Sequence, residues 1–206
     1  FKQKTAYEIS TRDWSSDVCS SDLVEDLVTV RDVVAVAQRV EMVLRIALEI
    51  EGYVLELGSD GRLLSLQLEE LVSGAPQERQ LLVRDYVPAG GRRQRRIDDA
   101  LTGLDVLSAV ELLDLLAVAR ALGFQGGEEI LDSGASPRGY RLLARVPRLP
   151  EVIVDRIVAK FASLQKLLGA SIEDLQTVEG VGESRARSVR EGLSRLAETS
   201  VLDRYV

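Results

Sequence analysis

The chain has 206 residues, of which 46% are hydrophobic and 29% are charged, and its formal net charge at pH 7 is −7. A chain of this length holds one or two small domains. The absence of histidine excludes histidine acid–base catalysis, Ser-His triads and histidine metal sites, and a Walker-type phosphate loop is also missing.

Three further features bear on the compartment. The chain has a single cysteine, it shows no secretory signal, and none of its apolar runs approaches the roughly 20 residues that a membrane span needs. We therefore predict a cytoplasmic protein that contacts no membrane and has no disulfide within the chain.

Residues 1–23 differ from the rest and hold the only tryptophan and the only cysteine, Trp14 and Cys19. Residues 11–23 have neither helical nor strand periodicity, and they resemble the translated adapter sequence found at the ends of metagenomic gene models. We expect residues 1–23 to be non-native and disordered. The alternative is a native, flexible lead-in rich in Ser and Asp, and neither interpretation supports a function.

Apolar residues recur every three or four positions between residues 24 and 57, which predicts one amphipathic helix of about 30 residues, roughly 45 Å long. A helix of this length needs partners. It could be one strand of a coiled coil, but the apolar faces around Val34, Val36 and Val43 favour a bundle. Turn residues at 58–61 end the helix.

Shorter helical patterns follow the long helix. They cover residues 63–72 and 78–86, and residues 101–122 predict one more helix or a pair, with breaks rich in Gly and Pro between them. Strand patterns are scarce. The predicted fold class is therefore all-α, with a spine bundle of helices at residues 24–135 and a second helical domain at residues 136–206.

The strongest local cluster of charge runs from Arg92 to Arg96, between two glycines and the pair Asp98 and Asp99. The favoured interpretation is a disordered linker that neutralises its own charge. A second contact with nucleic acid is the alternative.

Residues 178–186 have the sequence of a helix-hairpin-helix turn, a module that holds nucleic-acid backbone. Gly180 and Gly182 flank one apolar residue, so the backbone can turn sharply with positive φ while Val181 anchors the turn. Gly182 then opens a helix whose free N–H groups and dipole face outward, where a phosphate oxygen can bind. The small Ala186 lets the two helices approach closely. A lone Gly-x-Gly would instead favour a simple connection between helices.

The pattern occurs twice, at a constant offset of 32 residues. The apolar residues that match are Val146 with Val178, Leu149 with Val181, Val154 with Ala186, Ile157 with Val189 and Phe161 with Leu193. Arg148 and Pro150 replace the two glycines in the first copy, and proline lacks the N–H group that would hold an anion. We therefore expect a structural role for the first copy and phosphate contact for the second. Two short helices are predicted between the copies, the second with Ser171 as N-cap.

Charge supports nucleic-acid binding only modestly. Residues 141–206 contain 11 Lys and Arg against 9 Asp and Glu, whereas the rest of the chain has a net charge of −9. Arginines precede the first copy and follow the second, and their planar guanidinium groups suit phosphate. A solvated helix face is the alternative for many of them. Few contacts of this kind would give weak, salt-sensitive binding that ignores base sequence.

Residues 24–206 resemble the C-terminal part of the DisA family, the DNA integrity scanning proteins that are bacterial diadenylate cyclases. The resemblance covers nearly all of the native-looking chain. The segments that carry it are residues 25–33, 49–58, 136–143, 146–150 and 178–187.

The resemblance implies three parts: an N-terminal cyclase domain, a helical spine and a C-terminal helix-hairpin-helix DNA-binding domain. The family's cyclase joins two ATP molecules into cyclic di-AMP with Mg or Mn, using Asp-Gly-Ala and Arg-His-Arg motifs. This chain has no histidine, and its only Asp-Gly, Asp60-Gly61, continues to Arg62. We therefore expect no catalytic residue, metal site or cofactor here, and no synthesis of cyclic di-AMP.

In the resembling family, the C-terminal domain senses branched DNA such as Holliday junctions, which lowers cyclase output, and assembly depends mainly on the cyclase domain. The partner expected for this chain is therefore DNA. Ser184 stands where many hairpin modules carry lysine, which lowers the expected affinity. The predicted DNA-binding residues are Gly180, Val181, Gly182, Glu183, Ser184, Arg185, Arg187 and Arg148.

Two other functions stay open at this point. The net charge of −7 favours a helical interaction scaffold whose hairpins pack on a protein and never touch DNA. Some hairpin proteins are instead base-excision glycosylases with an aspartate after the glycines, and Asp203 lies 21 residues after Gly182. That aspartate is near the end of the sequence, and no substrate pocket is implied.

Overall fold

The computed structural model describes residues 27–57, 61–87 and 93–202. In these ranges the chain is helical and forms no β-strand, which confirms the all-α prediction. The α-helices are α1 (Val30–Glu56), α2 (Gly61–Val72), α3 (Ala75–Tyr86), α4 (Arg93–Val106), α5 (Leu115–Ala121), α6 (Tyr140–Ala144), α7 (Glu151–Phe161), α8 (Leu164–Leu168), α9 (Ile172–Gln176) and α10 (Glu183–Leu202). Two 3₁₀ helices lie at Glu111–Leu113 and Glu128–Asp132. Residues 1–23 and Asp203 lie outside the described residues.

The long helix α1 begins later than predicted, at Val30 rather than near residue 24. Thr29 caps it in a capping box: its hydroxyl accepts from the Asp32 N–H, and the Asp32 carboxylate accepts from the Thr29 N–H at 2.9 Å. These hydrogen bonds from Thr29 lower the pKa of Asp32. The apolar periodicity continues upstream of the cap, which is why the pattern placed the start too early.

Helix α1 packs in a bundle, as the sequence favoured, and is not one strand of a coiled coil. Its buried side chains, Val33, Val34 and Ala37 among them, share one hydrophobic cluster with side chains from α3, α4 and α5. Arg79 of α3 pairs with the buried Glu41 of α1 and donates to the backbone oxygen of Leu101 on α4 at 3.0 Å. This arginine therefore ties three helices of the bundle together.

The arginine cluster is helical, so the prediction of a disordered linker at residues 92–96 is wrong for the part that the structure describes. Residues 93–96 form the first turn of α4. The Gln94 amide donates to the Asp98 carboxylate at 3.0 Å, and Arg95 lies 3.9 Å from Asp99. Side-chain pairs four residues apart stabilise a helix modestly, and the apolar face of α4, with Ile97 and Leu104, is buried in the first cluster. The helical pattern at 101–122 accordingly divides between α4 and α5.

A second hydrophobic cluster is built from α6 to α10. It contains the matched apolar residues of both sequence copies, and Ile157, Val189 and Leu193 are at most 1% exposed. The segment before α6 is tied back to the start of α1, where the Val30 N–H donates to Ser133 O at 2.8 Å. The domain boundary at residue 136 stays a prediction.

Helix α3 joins the two clusters. Its Leu82 and Val83 are buried in the first cluster, while Leu81 packs against the second. At its C-terminal end the buried carboxylate of Asp85 accepts four backbone N–H groups, those of residues 138–141, at 2.7–3.2 Å. Gly139 is the N-cap of α6 and has no side chain to satisfy that helix end. Asp85 therefore caps α6 from the neighbouring bundle.

An ion pair extends the same contact. Arg141 of α6 is 7% exposed, and its Nε donates to the Glu78 carboxylate of α3 at 2.6 Å. Because both charges of this pair are largely shielded from water, removing either residue would leave the other as an uncompensated buried charge. We call the contact formed by Glu78, Arg84 and Asp85 of α3 with the second cluster the α3 joint.

Candidate nucleic-acid interface

The second copy folds into a helix–turn–helix unit made of α9, the turn at 177–182 and α10. Ser171 caps α9 in a second capping box with Asp174, as the sequence predicted, and these hydrogen bonds from Ser171 lower the pKa of Asp174. In the turn, the Val178 N–H donates to Leu175 O at 3.1 Å, and the Val181 N–H donates to Val178 O at 3.0 Å. These two hydrogen bonds close two successive turns, which reverse the direction of the chain.

Gly180 is required by this turn. Its φ is +85°, a left-handed conformation that side chains disfavour. A Cβ there would also lie 2.8 Å from Cδ1 of Ile153 in the first copy. Arg156 of the same helix donates to the backbone oxygen of Glu179 at 3.0 Å. The first copy thus packs directly against the turn of the second.

Gly182 has a different role from the one predicted for both glycines. Its φ is not positive, and a Cβ built on it meets nothing within 4 Å. The fold therefore does not need glycine at this position. The missing side chain leaves open space in front of the N-terminus of α10.

That N-terminus presents free donors. Among the described residues, no hydrogen bond uses the N–H groups of Gly182, Glu183 or Ser184, and all three residues are exposed. The first bond of the helix runs from Ala186 N–H to Gly182 O at 3.0 Å. Helix α10 is 20 residues long, so its dipole adds partial positive charge at the same end. The arrangement suits an anion.

The side chains next to this N-terminus are of two kinds, buried and exposed. Val181 and Ala186 are buried, at 4% and 0% exposure, and hold the turn and the helix pair together. Arg185 is exposed and donates to Gly180 O at 2.7 Å, and Arg187 donates to the Glu183 carboxylate at 2.8 Å. The negative charge of Glu183 is thereby neutralised by Arg187 within α10.

The first copy repeats the second at the predicted offset. Helices α6 and α9 have the same length, and α7 and α10 begin 32 residues apart. Arg148 stands at the place of Gly180, with φ +60°, so the first copy keeps the left-handed turn although it lacks glycine. Its side chain is exposed at the turn of the first copy. Pro150 is the N-cap of α7.

The residue that sequence reasoning missed is Arg84 of α3. Its guanidinium pairs with Glu151 and Asp155 in α7 and lies over the Tyr140 ring, 4.4 Å from the centroid. Burial acts to lower the pKa of Arg84, but the hydrogen bond to Glu151 and the charge of Asp155 outweigh it and raise that pKa. Comparing the copies shows that Asp155 stands where the second copy has Arg187, but it does not point to an arginine in α3.

Comparison with known proteins agrees with this architecture. Residues 18–131 match the family described as the DisA bacterial checkpoint controller linker region, and residues 163–192 match the helix-hairpin-helix motif. The chain belongs to the DisA family. The linker match begins at residue 18, inside the segment predicted to be non-native, so the extent of that segment stays a prediction.

Relatives named DNA integrity scanning protein DisA are similar over 184 residues, or 89% of this chain. Identity is 67% for those of Streptomyces griseus and Streptomyces coelicolor and 66% for that of Acidothermus cellulolyticus. The chain spans about half the length of these relatives, at 49–50%. It carries the DisA linker and hairpin segments.

Within the described ranges, every helix is too short or too polar to span a membrane. The same residues contain no group of three or more side chains that could hold a metal ion.

Proposed function

We propose that this chain binds the phosphate backbone of DNA through the second hairpin, with the N-terminus of α10 as the central contact. One observation carries the proposal: Gly182, Glu183 and Ser184 are exposed residues, and their N–H groups have no hydrogen-bond acceptor within the described structure. Free N–H groups and a helix dipole are the features that bind phosphate at helix N-termini.

Side chains add charge to this contact. Arg185 and Arg187 flank the turn of the second copy, and Arg148 lies at the tip of the first. With so few cations we expect weak binding that depends steeply on salt. The proposed contacts reach phosphate and not base edges, so binding is independent of base sequence.

The finer parts of the proposal come from DisA family membership. We propose branched DNA, such as a Holliday junction, as the preferred partner, and the cytoplasm as the compartment. In a whole DisA protein, DNA binding would regulate synthesis of cyclic di-AMP from ATP by a cyclase domain that also uses Mg or Mn and mediates most of the assembly. The α3 joint would connect the hairpins to the spine in that protein.

A salt series tests the proposal against the scaffold alternative. An electrophoretic shift assay compares a four-way junction with linear duplex of the same arm sequence, from low salt to physiological salt. We expect a shift at low salt that weakens steeply as salt increases, and tighter binding of the junction. A scaffold that never touches DNA would shift neither probe at any salt concentration.

Arg148→Gly should separate stability from DNA binding. Glycine relieves the left-handed strain at φ +60°, so the free energy of unfolding should stay level or rise by up to about 1 kcal/mol. Loss of one phosphate contact should weaken DNA binding at every sequence and reduce the salt slope by about 1. Thermal unfolding and fluorescence anisotropy measure the two effects. Arg148→Lys is the control, because it keeps the charge and should keep most of the affinity. If the Arg148→Gly variant and the wild type have the same affinity and the same salt slope, Arg148 does not contact DNA.

A further inference from the structure

The two hairpin copies differ in charge at one pair of equivalent positions. In the second copy, Glu183 in the first turn of α10 is paired with Arg187 one turn later, at 2.8 Å. In the first copy, the equivalent residues are Glu151 and Asp155, which are both acidic. The first turn of α7 therefore has no cation of its own to match its glutamate.

The spine supplies that cation. Arg84 of α3 uses one guanidinium nitrogen, Nη1, for Glu151 and the other, Nη2, for Asp155. Its side chain is 19% exposed, against 75% for Glu151 and 50% for Asp155. The two carboxylates are thus exposed to solvent, close in sequence to the turn that carries Arg148. The arginine that neutralises them belongs to α3 and is mostly buried.

The neighbouring residue fixes this geometry. Asp85 caps α6 through four backbone N–H groups, which sets where the first hairpin sits on α3. The Tyr140 ring lies under the Arg84 guanidinium, so the arginine is held on three sides. Arg84 pairs with the first-turn glutamate of the first copy, as Arg187 pairs with that of the second, but Arg84 comes from the spine and not from the same helix.

We propose that Arg84 is a positioning residue of the DNA site and that the first hairpin, for which Pro150 suggested only a structural role, is a second phosphate contact through Arg148, complete only when α3 is docked on it. This inference rests on the proposed DNA binding. Without Arg84, two uncompensated carboxylates would face a phosphate bound at Arg148. Negative charge repels an approaching phosphate, so the loss reaches DNA without any direct contact between Arg84 and DNA.

The test uses the whole chain and a fluorescein-labelled DNA four-way junction at low salt. Arg84→Gln should lower the affinity about fivefold. Adding Asp155→Arg to that variant gives the first copy the acid–base pair of the second, and affinity should return to the wild-type value or above. The matched control is Arg31→Gln, which removes an arginine from an exposed ion pair with Asp132 on the spine and should leave affinity within about twofold.

The outcomes separate the inference from the proposed function. If the wild-type chain binds neither junction nor duplex, DNA binding itself is wrong. If the wild type binds and Arg84→Gln binds equally well, only the role of Arg84 is wrong. If Arg84→Gln is weak and Asp155→Arg does not restore it, the arginine is a structural clamp and the inference is overturned.

A further variant covers the case in which Arg84→Gln does not fold, as judged by circular dichroism and thermal melting. Arg84→Lys keeps the positive charge but loses the two-pronged contact. Lysine is not equivalent to arginine at a site that pairs with two carboxylates and stacks on a ring, so the inference expects an affinity between those of wild type and Arg84→Gln. A fivefold loss with an intact fold would show that the clamp geometry matters and the charge does not, which would overturn the inference.

Discussion

Gly182→Val is expected to lower the affinity for DNA by about tenfold or more while the midpoint of thermal unfolding stays within about 2 °C of wild type. The fold tolerates the substitution because φ at this position is not positive and a Cβ meets nothing within 4 Å. The ligand should not tolerate it, because the valine methyl groups would fill the space in front of the free N–H groups of α10.

The matched control is Gly74→Val. Gly74 is also the N-cap of a helix, α3, and a Cβ there also meets nothing within 4 Å, but it lies on the spine. Both variants should unfold at the wild-type temperature, and only Gly182→Val should lose DNA in an anisotropy titration. Equal affinity of Gly182→Val and wild type would contradict the proposed contact.

Gly180→Ala provides the opposite pattern. The added Cβ would lie 2.8 Å from Cδ1 of Ile153 and would force an alanine to adopt φ +85°, so the protein itself loses stability. A double substitution of Gly180 and Gly182 would therefore confuse unfolding with loss of binding. The single variant at Gly182 isolates the ligand contact.

The hairpins could be predicted from the sequence because their determinants are local. A glycine for the left-handed turn, an apolar anchor at Val181 and a small residue at Ala186 all lie within one short segment, and the offset of 32 residues doubled the signal. In the first copy the left-handed turn falls on Arg148, and only the alignment with the second copy indicates it, because arginine rarely adopts positive φ.

Errors in the spine arose where two local signals competed. Apolar periodicity placed the start of α1 too early, and the capping box of Thr29 and Asp32 decides it. At Arg92–Arg96, a run of like charge suggested a linker, but aspartates four residues further along make it a helix. In both cases a specific hydrogen bond or ion pair outweighs a compositional pattern.

The α3 joint could not be predicted at all. Asp85 lies 53–56 residues before the N–H groups that it accepts, and Arg84 lies 67 residues before Glu151. No periodicity links positions so far apart, because only the docking of α3 on the second cluster brings them together. In a single sequence, a buried aspartate at a helix end looks the same as an exposed one.

Asp85→Ala is expected to lower the free energy of unfolding by about 3 kcal/mol. The carboxylate is 2% exposed and accepts from four backbone N–H groups, which an alanine would leave without an acceptor at the start of α6. Water cannot easily replace the carboxylate at a buried site, so the desolvation of those N–H groups is uncompensated. For a chain of this size, the expected fall in the unfolding midpoint is roughly 6–12 °C.

Two comparisons make this result specific to the α3 joint. Asp85→Asn keeps one acceptor oxygen and should lose roughly half as much stability, whereas Asp132→Ala, which removes an exposed ion pair, should lose less than about 1 kcal/mol. Hydrogen exchange at the amides of residues 138–141 should accelerate in Asp85→Ala more than at amides within α1. A loss equal to that of Asp132→Ala would mean that α6 does not depend on its cap from the spine. The contact between α3 and the hairpins would then rest on the ion pairs of Glu78 and Arg84 and on the packing of Leu81.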